Sequence, residues 1–197
     1  MSARSRKNEP RARRRKQEKP VLPPAMLAVG ALVIVVIAAM VFLANNPPGS
    51  VGEIEGVIVI PDLSRGHTLE PVTYEQVPPA GGPHNPVWQN CGVYTSPIPN
   101  ENAVHSLEHG VVWITYDPDL PADQVERLQQ ITRRSGYRLL SPYPDLPSPI
   151  VATAWGFQLH LDSADDPRLD DFIRKYEQGP TTPEPGAVCT GGVGSPA

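Results

Sequence analysis

Apolar and polar positions divide the chain into regions of different character. No residue from Val21 to Ala44 is charged, and the stretch "AMLAVGALVIVVIAAMVFLA" is almost unbroken in apolar side chains. At ~1.5 Å per helical residue this stretch would cover about 30 Å, the hydrocarbon thickness of a bilayer, so the pattern predicts a transmembrane helix over residues 21–44. A cleavable signal peptide carries a shorter apolar region, typically ~7–15 residues, and no small-x-small cleavage pattern follows Phe42. Residues 45–56, "NNPPGSVGEIEG", hold proline and glycine that cannot continue a helix and read as a short stalk.

Beyond the stalk the apolar positions come in short runs. "VIVIP" suggests a first strand, and Gly66 to Asn100 is interrupted by Pro, Gly or Asn every few residues, which predicts turns rather than long elements. "VVWITY" (111–116) is rich in β-branched and aromatic residues, as a strand is. "PADQVERLQQITRRSG" (121–136) opens with a proline suited to a first helical turn, aligns Val125, Leu128 and Ile131, and stops at glycine. "YRLL" and "IVATAWGFQLHL" read as further strands. Asp166 can cap a last helix that Pro167 opens, with Leu169, Phe172, Ile173 and Tyr176 at i, i+3, i+4 and i+7. The order predicts an α+β fold over residues 57–190, with a small, mostly antiparallel sheet and about three helices, followed by a flexible tail over 191–197.

Charge adds an orientation. Residues 1–20 form a basic arm with nine Lys/Arg against two Glu, a net of +7, and the remainder of the chain carries −11 within a total of −4. A basic run against an apolar span predicts a cytoplasmic N-terminus and an extracytoplasmic domain at the cell membrane, with the lipid bilayer as partner rather than nucleic acid. In that setting Cys91 and Cys189, the only two cysteines, are expected to form a disulfide, since no C-x-x-C spacing points to thiolate ligation.

The chemistry concentrates in "HSLEHG" (105–110). His105, Glu108 and His109 stand at the H-x-x-E-H spacing of inverzincin metallopeptidases. With Asn100 as N-cap and Gly110 just past the end, the segment predicts a short helix whose apolar face is Ala103, Val104 and Leu107, with His105, Glu108 and His109 opposite. Imidazoles at i and i+4 can share a metal ion, but zinc commonly takes at least three protein ligands. His84 and His67 are the candidates for the rest, and His160, between Leu159 and Leu161 on its strand, is less convenient.

Inverzincins continue this helix and add a distal glutamate. Here the helix stops at Gly110, and Glu177 or Glu184 carries no recognisable signature for that role. Three readings follow: a metal-binding or envelope-interaction module using His67, His84, His105, Glu108 and His109; a zinc hydrolase with Glu108 as base; or a structural protein binding an unknown envelope partner. All three methionines (Met1, Met26, Met40) lie at or before the apolar span, so imidazole and carboxylate would favour zinc or copper(II). No glycine-rich phosphate loop and no G-x-S-x-G context is present.

"VTYEQVPPAGGPHNPVWQNCGVY" followed by "AVHSLEHGVVWITYDPDLP" resembles a bacterial family of uncharacterised membrane-anchored proteins, familiar from actinobacteria. Its signature runs Pro-Pro, Gly-Pro-His, Gly-x-Tyr and Val-His-x-Leu-Glu-His-Gly in this order, and the likeness covers about Gly66 to Trp155. It departs at Gly81, where the pattern has serine. The resemblance implies an anchored domain and transfers no activity.

Overall fold

The computed structural model describes residues 33–42 and 52–197. Two compact units are distinguished, residues 1–49 and 50–197. In the first, residues 33–42 are helical (α1). Among the described residues no helix is long and apolar enough to cross a membrane. The expected transmembrane helix, and with it the single-pass topology and extracytoplasmic assignment, is therefore not supported. The basic arm, the rest of 21–44 and stalk residues 45–51 lie outside the described residues.

The second unit is α+β. Its order is β1 (Val57–Val59), β2 (Gly92–Val93), α2 (Asn100–Glu108), β3 (Val112–Tyr116), α3 (Ala122–Thr132), β4 (Arg138–Pro142), β5 (Ile150–Ala154), β6 (Phe157–Leu161) and α4 (Pro167–Tyr176). The six strands make one sheet in the order β1-β6-β5-β3-β4-β2. β1–β6, β6–β5 and β5–β3 are antiparallel, whereas β3–β4 and β2–β4 are parallel. Three of the five pairings are antiparallel, in keeping with a mostly antiparallel sheet, and the other two form a parallel unit in which α3 is the crossover that lets β3 and β4 run the same way.

Alternation along the strands divides the core between the faces. Val112, Ile114, Leu140, Ile150, Ala152 and Leu159 pack with Leu128 and Ile131 of α3 and with Leu169, Phe172 and Ile173 of α4. Trp113 and Leu139 point the other way, toward Ala103, Val104 and Leu107 of α2. α4 begins as its sequence predicts, with the Asp166 side chain accepting from the Arg168 amide at 2.9 Å. α2 does not: its N-cap is Pro99, and Asn100 donates its side-chain amide to the Tyr143 hydroxyl instead. α2 is also buried on both sides, from Ala103 through Glu108. The sheet takes its apolar face, and the proline-rich segment before it contributes to the cover of its polar face.

That segment and the C-terminus are held by a few specific links. Cys91 and Cys189 form a disulfide across 98 residues. Next to it, the Cys91 amide donates to the Cys189 carbonyl, and the Asn90 amide to Val193. The last seven residues, read from sequence as a flexible tail, are hydrogen-bonded into this network: Asn90 Nδ2 donates to the Gly194 carbonyl, and the Ala197 amide to Val93.

Candidate metal centre

The polar face of α2 carries His105 and Glu108, with His109 at its C-cap. Two other stretches meet it. His67 and His84 face each other in an isolated parallel bridge, with the Thr68 amide donating to the His84 carbonyl at 2.7 Å and the His84 amide to Gly66 at 3.0 Å. Gly81 and Gly82 shape the approach to His84, with φ of +141° and +112°, backbone that favours glycine. A Cβ on Gly81 would come within 2.7 Å of Leu63, so a larger side chain would not fit here without rearrangement.

The C-terminal stretch reaches the same helix end. Gly110, at φ +85°, closes α2 in the left-handed conformation. The Gln178 amide donates to the Gly110 carbonyl at 2.9 Å, and the Glu184 amide to the Glu108 carbonyl at 3.0 Å. A Cβ on Gly110 would lie 2.6 Å from Gln178 Nε2 and 2.8 Å from Thr182. Glycine is therefore needed both for its backbone angle and for the close passage of the segment that carries Glu184.

Two groups of metal-ligating side chains result, each with its ligand atoms within 4.8 Å of one another. The inner group is His67, His84, His105 and Glu108; the outer group is His105, His109 and Glu184. The H-x-x-E-H residues are divided between the groups, with Glu108 in one and His109 in the other. His160 pairs opposite Val151 on β6 and belongs to neither. Glu177 is engaged by Ser135 and Arg138. Trp88 and Trp155, which sequence reasoning did not single out, flank the groups: Trp88 lies against His105 and His109, and Trp155 against His84.

Backbone carbonyls orient three of the imidazoles. Nδ1 of His84 donates to Gly82 at 2.8 Å, Nδ1 of His105 to Asn85 at 2.6 Å, and Nδ1 of His109 to Val188 at 2.7 Å. Because a carbonyl only accepts, each Nδ1 carries the hydrogen, and in the neutral ring Nε2 is the lone-pair nitrogen. This is the arrangement that fixes tautomer and ring direction in metal-ligating histidines. Burial, opposed by the Asn85 bond and assisted by His109, His84 and His67, lowers the pKa of His105 to about 4, so its imidazole is neutral near pH 7.

The inner group contains an unresolved contact. His84 Nε2 stands 3.0 Å from a Glu108 carboxylate oxygen, with the His84 side chain 0% and the Glu108 side chain 3% exposed. Nε2 has no hydrogen-bond partner among the described residues. With Nδ1 protonated, a neutral His84 turns a lone pair toward an anionic oxygen in a buried site, and a positive charge is required between them. That charge is either a proton or a metal cation. His67 closes the group from the solvent side, its Nε2 3.9 Å from the same carboxylate and its side chain 49% exposed.

Residues 67–191, well over half of the 197-residue chain, match the family described as "Protein of unknown function (DUF3105)". The chain belongs to the DUF3105 family. The matched span begins at His67 and contains every member of both groups as well as the disulfide. No curated protein and no solved structure matches the chain.

Proposed function

We propose that the DUF3105 domain binds one divalent transition-metal ion, zinc or copper(II), through His67, His84, His105 and Glu108. The observation that carries this reading is the buried His84 Nε2, without a hydrogen-bond partner and 3.0 Å from the Glu108 carboxylate. Three imidazoles and one carboxylate suit zinc and copper(II), and the only two thiols are joined in the disulfide. The carbonyl bonds to His84 and His105 leave their Nε2 atoms ready to ligate without rotation of the rings.

A hydrolytic reading takes His105, His109 and Glu184 as zinc ligands and Glu108 as general base. The grouping of those three ligands favours it. It is the weaker reading because Glu108 is buried and its carboxylate faces His84, where a base must reach a water on the metal.

The test is elemental analysis and calorimetry on the full chain, purified without chelators and then offered zinc or copper(II). Wild type is expected to hold about one ion, and the His84→Ala/His105→Ala double variant far less. Equal metal content in the two proteins would refute the reading and leave His84 and Glu108 as a buried ion pair. Glu108→Gln separates the roles: a ligand loses affinity, whereas a general base loses turnover and keeps its metal.

A further inference from the structure

The two groups share His105, and that residue has only one nitrogen to give. Its Nδ1 hydrogen is committed to the Asn85 carbonyl at 2.6 Å, so Nε2 alone can ligate, and it can bind one ion at a time. Without His105 the inner group keeps three ligands, His67, His84 and Glu108, while the outer group keeps only His109 and Glu184. The outer group is thus complete only when the inner group does not hold His105.

Exposure differs in the same sense. The Glu184 side chain is 52% exposed and its carboxylate lies 3.6 Å from His109 Nε2, whereas His84 and Glu108 are buried. The rings of His105 and His109 are 4.7 Å apart, close enough for an ion to pass from one ligand set to the other while remaining on His105. His109 is held for this by the Val188 carbonyl, next to the Cys189 half of the disulfide.

We infer that His109 and Glu184 form an outer, transient metal position that captures a divalent ion from solvent and passes it, by way of His105, to the buried position of His84 and Glu108. This rests on the metal-binding reading above. Glu184 supplies the negative charge that attracts the ion, and His109 completes a three-ligand intermediate. The inner position then wins because it offers more ligands in a drier setting. No bond other than coordination is made or broken, and any proton on a ligating atom leaves to solvent as the ion arrives.

The two tryptophans supply the assay. Trp88 is 5.1 Å from His109, and Trp155 is 5.7 Å from His84. Copper(II) quenches indole fluorescence at short range and the buried Trp113 is common to all variants, so stopped-flow mixing of copper(II) with the full-length Trp155→Phe chain reads, through Trp88, arrival at His109 and the shared His105. The Trp88→Phe chain reads mainly arrival near Trp155. The expected result is a faster phase in the first protein than in the second. Glu184→Gln should slow uptake by about tenfold and Glu184→Lys by more, because the steering charge is removed or reversed. Release should slow alongside uptake. Uptake at the wild-type rate in both Glu184 variants, or simultaneous quenching of the two tryptophans, would overturn the inference, and slowing by His67→Gln instead would assign access to the His67 side. If wild type bound no copper(II) or zinc at all, the metal-binding reading itself would fall, an outcome distinct from unchanged uptake rates.

Discussion

If a metal ion replaces a proton between His84 and Glu108, zinc must stabilise the domain in a way that acid abolishes. The perturbation is zinc at about one hundred times its dissociation constant, which raises stability by RT ln(1 + [L]/Kd), about 2.7 kcal/mol. For a domain of roughly 150 residues, about 2–4 °C per kcal/mol, this gives a rise in Tm of about 5–11 °C near pH 7.5. The structure then sets the proton count. His105, with its pKa lowered to about 4 by burial, brings no proton to be displaced above pH ~5. At His84 a proton and the ion compete for the same Nε2 lone pair, which faces the Glu108 carboxylate at 3.0 Å. One displaced proton weakens binding up to tenfold per pH unit, about 1.4 kcal/mol, so two pH units bring the same zinc concentration down to about its dissociation constant and leave only about 0.4 kcal/mol of stabilisation at about pH 5.5. Calorimetric or fluorescence melts with zinc or with a chelator, at both pH values, measure this directly. A zinc shift of equal size at the two pH values, or the same shift in His84→Ala, would refute the reasoning.

Three further outcomes are expected. In the metal-free protein, stability should fall as pH drops from about 6.5 toward 4: the unfolded chain takes up a proton on His105 before the folded chain does, which favours unfolding by up to about 3 kcal/mol, and denaturant melts should show a shallower decline in His105→Gln. Opening the Cys91–Cys189 disulfide, which closes a loop spanning 98 residues in sequence, should cost up to about 4–5 kcal/mol on the chain-entropy model, seen as a lower Tm in the Cys91→Ala/Cys189→Ala variant than in wild type. Gly110→Ala places a Cβ against Gln178 and Thr182 at φ +85°, and should destabilise by about 1–3 kcal/mol in a denaturant melt.

The parts of the fold that were legible in the chain were those settled by neighbours in sequence. α4 announces itself through Asp166, Pro167 and its apolar spacing, and the same local cues return in the structure as a capped helix with Leu169, Phe172, Ile173 and Tyr176 buried. Where a distant partner decides, local reading fails. Asn100 has the chemistry of an N-cap, yet its amide is taken by Tyr143, some forty residues away in the chain, and Pro99 occupies the cap. The other strand runs were visible, but not β2, which lies in the stretch read as turns, nor that β2 and β3 would both pair in parallel with β4, because alternation says which face a side chain takes and nothing about its neighbour. Hydropathy over 21–44 likewise registers composition, and among the described residues no helix is long and apolar enough to cross a membrane.

The candidate site shows the same division within five residues. The H-x-x-E-H spacing holds on α2, and it does bring the His105 and His109 rings to 4.7 Å. Periodicity assigns Glu108 to their side of the helix but cannot say what packs there, and the proline-rich segment brings His84 to Glu108 while the C-terminal stretch brings Glu184 to His109. Both arrivals depend on long-range links. The His67–His84 bridge is backbone pairing across 17 residues, and the Cys91–Cys189 bond holds the stretch whose Val188 carbonyl orients His109. A helix exposed on its polar face would leave one site in which Glu108 and both histidines serve the same ion. A helix buried on both faces gives each polar side chain a different neighbour, so Glu108 goes to His84, His109 to Glu184, and His105 alone belongs to both groups.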